Sequence, residues 1–112
     1  MQKPLTVYKA SAGSGKTFTL ATEYIKLLIE NPQSYSKILA VTFTNKATEE
    51  MKMRILSHLY GIWKNLPDSK VYKAVVMKSL DNVSEKYVSD QAGKALSLLL
   101  HNFNYFRVET ID

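Results

Sequence analysis

Ala10-Ser11-Ala12-Gly13-Ser14-Gly15-Lys16-Thr17 decides how this chain is read, because it fits the Walker A form with alanine in place of the usual first glycine. Before it, Leu5-Thr6-Val7-Tyr8 has strand composition, so a first strand is expected to end near Lys9. After it, Phe18, Ala21, Ile25 and Leu28 recur at helical spacing, and Leu20, Tyr24 and Leu27 widen the face. A helix is therefore expected over Gly15 to Glu30, ended by Asn31-Pro32. Anion binding needs this placement: amides at a helix start point outward, and the macrodipole adds partial positive charge where phosphates must sit. Gly13 and Gly15 let the backbone approach closely. Lys16 supplies a mobile ammonium to the β- and γ-phosphates, and the Thr17 hydroxyl is placed to ligate Mg²⁺. The expected ATP-binding set is Ala10, Ser11, Ala12, Gly13, Ser14, Gly15, Lys16, Thr17 and Phe18, with Lys16 and Thr17 acting on the reacting phosphates. A chance Gly/Ser-rich turn would leave the agreement of strand, glycines, Lys-Thr pair and helix unexplained.

Lys37-Ile38-Leu39-Ala40-Val41-Thr42 is a nearly continuous apolar run, the pattern of a parallel strand covered on both faces, and it completes a βαβ unit. Thr44 or Asn45 can cap the next helix. Its stripe is Ala47, Met51, Ile55 and Leu59, Glu49 and Glu50 lie near its positive end, and it should run to about Tyr60. Arg54 lies off the stripe and reads as a solvated charge. Past Gly61, Ser69 to Leu80 and Ser84 to Asn102 read as helices separated by Asp81-Asn82, and Tyr105 to Ile111 reads as a third strand stopping at Asp112. The fold class expected is α/β: the incomplete N-terminal part of a P-loop NTPase (RecA-like) three-layer α/β/α parallel sheet, with residues 1–112 as one domain cut before Walker B.

The 112 residues, 46% hydrophobic and 22% charged, describe one globular domain rather than a disordered chain. Fifteen Lys and Arg against ten Asp and Glu give +5, which favours polyanionic partners but on its own selects none. The absence of cysteine excludes disulfide scaffolds, thiolate metal sites and cysteine nucleophiles. No apolar run approaches the roughly 18 to 20 residues needed to span a bilayer, and Met1-Gln2-Lys3-Pro4 leads into no apolar signal region. A cytoplasmic location without a membrane partner is the resulting expectation. His58 and His101 have no acidic or histidine partners at metal spacing, so structural roles are expected. Tyr60, Trp63 and Tyr72, interleaved with Lys64, Lys70 and Lys73, could form a stacking surface, although half-buried aromatics and solvated lysines are common on helices.

Val41-Thr42-Phe43-Thr44-Asn45-Lys46-Ala47-Thr48-Glu49-Glu50-Met51-Lys52-Met53-Arg54-Ile55 resembles motif Ia of superfamily 1A (UvrD/Rep-like) DNA helicases. Ala-Ser-Ala-Gly-Ser-Gly-Lys-Thr-Phe resembles the P-loop of the RecB and AddA helicase-nuclease branch more than that of UvrD or Rep. Val108-Glu109-Thr110-Ile111-Asp112 is similar to the start of motif Ib, so three motifs occur in family order across the chain. The resemblance implies an ATP- and Mg²⁺-dependent DNA helicase or helicase-nuclease that translocates on single-stranded DNA in repair or recombination. A nuclease domain elsewhere, and a partner in the form of a second helicase-nuclease subunit, are compatible with that branch. It also implies DNA contacts from Phe43, Thr44, Asn45 and Lys46, joined by Thr110 of motif Ib. That chemistry is reasonable: an aromatic ring stacks on any base for about 1–3 kcal/mol, and small polar side chains at a helix start hold phosphate without reading sequence. On local sequence alone the alternative is a core aromatic at Phe43 and simple caps at Thr44 and Asn45, and for the caps both roles can coexist.

Hydrolysis also needs a Walker B carboxylate for Mg²⁺ and a second acid for the attacking water. Glu49-Glu50 sits on an expected helix, and Asp112 follows a strand interrupted by Glu109, so the catalytic acids are expected beyond Asp112. These residues alone are expected to bind phosphate weakly and to unwind nothing. Gln2 stands too close to the P-loop strand to support adenine selectivity, and relatives commonly carry histidine where Asp112 stands, a departure of motif Ib from the family pattern. Two rival readings stay open: a small P-loop kinase or GTPase, and a nonenzymatic nucleic-acid-binding module with a vestigial P-loop.

Overall fold

The computed structural model describes residues 6–9 and 14–111, with side chains from Lys16 onward. Gln2, Ala10, Ser11, Ala12, Gly13 and Asp112 lie outside the described residues. Along the chain come β1 (Thr6–Lys9), α1 (Ser14–Glu30), β2 (Ile38–Thr42), α2 (Asn45–Lys64), α3 (Lys70–Ser79), α4 (Glu85–His101) and β3 (Arg107–Thr110). Short 3-10 helices cover Pro32–Lys37, Pro67–Ser69 and Phe103–Tyr105. The result is a mixed α/β structure, mostly helical, with a small parallel sheet.

Among the described residues the sheet order is β1-β2-β3. Both pairings are parallel, with Thr6 opposite Ile38, Lys9 opposite Val41, and Thr42 opposite Thr110. Lys37 belongs to the 3-10 helix, so β2 starts one residue later than the apolar run suggests. Asn31 causes this: its side chain accepts from the Gln33 amide, and Pro32 starts a new turn with its fixed φ. Tyr105 is likewise taken into a 3-10 helix, and β3 begins at Arg107.

Burial along β2 alternates, so among the described residues one face is covered and the other partly open. Ile38, Ala40 and Thr42 are buried, while Leu39 and Val41 on the opposite face are half-buried. The covered face continues through Val108 of β3, which pairs with Ala40. Helices α1, α2 and α4 pack on one another, and α2 also touches β2 and β3. Their core holds Tyr24, Ile25 and Leu28 of α1, Met51, Ile55 and Leu59 of α2, and Val88, Ala92 and Leu99 of α4. Met51, Ile55 and Leu59 thus point inward as their spacing predicts, whereas Ala47 is half-buried. The Tyr24 ring meets Phe106 edge-on at 5.8 Å, fixing α1 against the entry to β3.

Helix α2 continues through Gly61 and ends at Lys64, one turn past the expected Tyr60. It stops where Asn65 adopts the left-handed conformation at φ 59. There the Asn65 amide reaches the Ile62 carbonyl at 3.4 Å and the Leu66 amide the Gly61 carbonyl at 2.8 Å, the crossed pair of a Schellman cap. Asparagine tolerates that backbone region, so the stop signal lies four residues beyond the glycine. Ser89 of α4 donates to the Ile62 carbonyl at 3.1 Å and joins the two helices at this end. The start of α4 is capped by Ser84, whose hydroxyl accepts from the Tyr87 amide at 3.0 Å.

Arg54 is not the free surface charge its position suggests. Its guanidinium donates to the Tyr72 hydroxyl at 2.8 Å, and the buried Tyr72 ring stacks on His58 with centroids 3.7 Å apart. That ring also meets Phe18 of α1, edge-on at 4.8 Å. His58 Nδ1 also pairs with the buried Ser69 hydroxyl at 2.7 Å. Burial first, and then the Arg54 cation, hold the His58 pKa below its ordinary value, with Asp68 opposing. The unfolded chain binds this proton near pH 6.5 and the folded chain only at lower pH. Stability from His58 is therefore complete above about pH 6.5 and declines as pH falls toward the lowered pKa. Urea midpoints at about pH 7.5 and about pH 5.5 should show this loss, and His58→Gln should shrink it. Equal losses in both proteins would count against the assignment.

Tyr72 burial removes one ring from the aromatic-lysine surface, while Tyr60 and Trp63 stay exposed. Lys73 pairs with Asn65 and with Glu85, Trp63 rests against Gly93 of α4, and the Lys64 ammonium lies 4.0 Å from the Trp63 centroid. A methyl on Gly93 would sit 2.7 Å from the Trp63 indole, so this close approach needs glycine. No helix among the described residues is long and apolar enough to cross a membrane.

Candidate nucleotide and nucleic-acid site

Parallel pairing sends all three strands in one direction and stops them in one row. Lys9 lies opposite Val41, Val41 opposite Glu109, and Thr42 opposite Thr110. In open parallel sheets this carboxyl edge is where ligands bind, because helices begin there with unpaired amides. Two helices begin there in this chain: α1 at Ser14, after residues 10–13, and α2 at Asn45, after Phe43 and Thr44.

The first turn of α1 consists of Ser14, Gly15, Lys16 and Thr17. Helix geometry leaves the amides of Ser14, Gly15 and Lys16 without intrahelical acceptors. Lys16 is exposed and Thr17 half-buried. The helix contributes no acidic residue in that turn, so nothing in it offsets the positive end of the dipole. Phe18 is half-buried against Tyr72, a packing contact just past the first turn that ties α1 to α3.

The first turn of α2 is capped by Thr44, whose hydroxyl accepts from the Ala47 amide at 3.0 Å. Phe43, Thr44, Asn45 and Lys46 are all exposed, with 52% of Phe43 open to solvent, so Phe43 is not a core aromatic. The amides of Asn45 and Lys46 lie at the positive end of a 20-residue helix. Lys52, a turn and a half further on, points its ammonium at Phe103 and Phe106 instead, 5.5 and 5.9 Å from their centroids.

The structure adds a feature the motif reading passes over. Thr48 Oγ1 lies 2.5 Å from Thr42 Oγ1 and 2.6 Å from Thr110 Oγ1, bringing β2, α2 and β3 together through side chains. Thr42 itself is buried. The available signal was Thr48 one helical turn after Thr44, on the side facing the sheet, but only the strand register reveals that Thr110 meets it.

The sequence profile of the UvrD/REP helicase N-terminal domain matches residues 1–111. Over 102 residues the chain is 35% identical to RecBCD enzyme subunit RecB of Borreliella burgdorferi, a match covering 91% of this chain and 8% of that protein. Over 97 residues it is 34% identical to an ATP-dependent helicase/nuclease subunit of Clostridium perfringens, covering 85% of this chain and 7% of that protein. RecBCD enzyme subunit RecB of Chlamydia muridarum is 50% identical over 52 residues, 46% of this chain and 5% of that protein. The chain thus spans less than a tenth of the length of these curated relatives. No solved structure matches it. With the profile aligned from the first strand through the third, this chain belongs to the UvrD/REP helicase N-terminal domain family.

Proposed function

We propose that this chain forms the ATP-binding start of the motor in an ATP-dependent DNA helicase or helicase-nuclease that translocates along single-stranded DNA. The observation that carries the reading is the common edge of the parallel sheet, where α1 and α2 both begin and where Lys16, Phe43, Asn45 and Lys46 are exposed. Two helix starts at one edge suit a machine that couples one anion, the nucleotide, to another, the nucleic-acid backbone.

Within that reading, residues 10–18 hold ATP, Lys16 neutralises charge on the β- and γ-phosphates, and the Thr17 hydroxyl holds Mg²⁺. The metal would supply charge stabilisation to the transferring phosphoryl group. Phe43 stacks on bases while Thr44, Asn45 and Lys46 hold the backbone, with Thr110 beside them against Thr48, a sequence-indifferent grip. The sheet extends into a three-layer RecA-like core whose Walker B acids come from further strands. A second helicase-nuclease subunit is the protein partner this branch suggests.

The test is ATP hydrolysis by the full-length protein with and without oligo(dT). Stimulation of about tenfold or more by the single strand is the expected result. A rate indifferent to DNA, together with phosphate transfer to a small substrate, would establish a kinase instead. DNA binding with a steep salt slope but no ATP turnover would leave only a nonenzymatic binding module.

A further inference from the structure

We propose that Thr48 is a positioning residue, whose hydroxyl locks the first turn of α2 to the ends of β2 and β3 and so holds Phe43, Asn45 and Lys46 in place for single-stranded DNA. This rests on the reading of that surface given above. Thr42 and Thr110 are register partners on adjacent strands, so their side chains leave the same face of the sheet. Thr48 comes down from α2 and meets both, at 2.5 and 2.6 Å. Thr42 Oγ1 also donates to the Thr44 carbonyl at 3.3 Å.

A hydroxyl has one proton to give and two lone pairs to receive with. Every proton is used when Thr110 donates to Thr48, Thr48 to Thr42 and Thr42 to the Thr44 carbonyl, and equally when Thr42 and Thr110 both donate to Thr48 and Thr48 to that carbonyl. A threonine at this helical position often bonds only to the carbonyl one turn back, and Thr48 does lie 3.2 Å from the Thr44 carbonyl. That local bond does not account for Thr110, which is 62 residues away in sequence. The connection therefore spans three elements rather than one helical turn.

Its effect falls on Phe43. The bond from Thr42 to the Thr44 carbonyl closes across Phe43, fixing the main chain on either side of an exposed ring. The same Thr44 carbonyl accepts the Thr48 amide at 3.0 Å, and the Thr44 hydroxyl caps Ala47, so the orientation of the Asn45 and Lys46 amides follows from the network. A surface that grips and releases a flexible strand gains affinity when its ordering is complete before the strand arrives.

The experiment uses the full-length protein and titrates oligo(dT) into its ATPase reaction. Thr48→Val keeps the β-branched shape and removes the hydroxyl; Thr48→Ser keeps the hydroxyl. Thr48→Val should raise the oligo(dT) concentration for half-maximal stimulation by about three- to tenfold, the worth of one to two hydrogen bonds. Maximal rate and ATP KM should stay within about twofold, and Thr48→Ser should behave like the parent. Should Thr48→Val fail to fold, Thr42→Val cuts the network from the strand side and should give the same shift. A merely structural role would lower the active fraction and the maximal rate without moving half-saturation. Parental half-saturation in Thr48→Val, or equal weakening in Thr48→Ser, overturns the proposal. Phe43→Ala and Lys46→Ala separate it from the reading it rests on. If they raise half-saturation and Thr48→Val does not, Thr48 alone loses its role; if they too leave it unchanged, the DNA surface itself is wrong.

Discussion

Full-length protein carrying Lys16→Ala is expected to lose DNA-stimulated ATP turnover by about 100-fold or more, the loss typical of deleting one positioned charge at a phosphoryl-transfer site. Lys16 is exposed within the first turn of α1. Alanine is the strongest helix former, so the substitution removes the ammonium while leaving the helix start intact. The amides of Ser14, Gly15 and Lys16 would still offer a weak anion site, which predicts residual nucleotide binding rather than none. Arginine should not substitute, because its planar fork is longer and cannot act as the compact point charge a phosphate cradle accepts. Oligo(dT) binding without nucleotide should stay within about twofold of the parent, since the proposed DNA surface belongs to α2. Unchanged ATP affinity and turnover in Lys16→Ala would refute the nucleotide assignment, and lost DNA binding would mean that the two sites are one.

The contrast between α1 and α2 shows what a sequence can and cannot say about this protein. Helix α1 was legible to within one residue because its limits are written in local chemistry: glycines at its start and Asn31-Pro32 after it. The Ser84 start of α4 and both candidate caps of α2 were legible for the same reason, and Thr44 took the capping role. The far end of α2 was not, because Gly61 looks like a local stop signal while its use is tertiary. Arg54 failed similarly: periodicity assigns it to a surface, but it finds its partner, Tyr72, on another helix. For the candidate site, the motif names Thr110 and Thr44 without indicating that Thr42 and Thr48 link them. That link depends on strand register, which no spacing along the chain encodes.

Gly61→Ala is expected to destabilise the 112-residue chain by about 1–3 kcal/mol, against the sign that helix propensity predicts. In an isolated helix, alanine would be favoured over glycine by about 1 kcal/mol. Here a Cβ at Gly61 would lie 2.6 Å from Ser69 Cβ and closer still to its hydroxyl. Ser69 cannot yield cheaply. It is 2% exposed, its amide donates to the Leu66 carbonyl at 3.1 Å, and its hydroxyl pairs with His58. Displacing it shifts the start of α3 and breaks the His58 contact, so overpacking and a lost hydrogen bond together exceed the propensity gain. Urea unfolding followed through Trp63, the sole tryptophan, reports the change. Ser69→Gly removes both offending atoms, so the double substitution should recover about 1 kcal/mol relative to the sum of the single effects. A Gly61→Ala protein as stable as the parent would mean that α2 and the Pro67–Ser69 turn do not approach as closely as the structure places them. The pH dependence assigned to His58 would then lose its buried partner as well, because the Ser69 hydroxyl reaches the imidazole only if that approach is real.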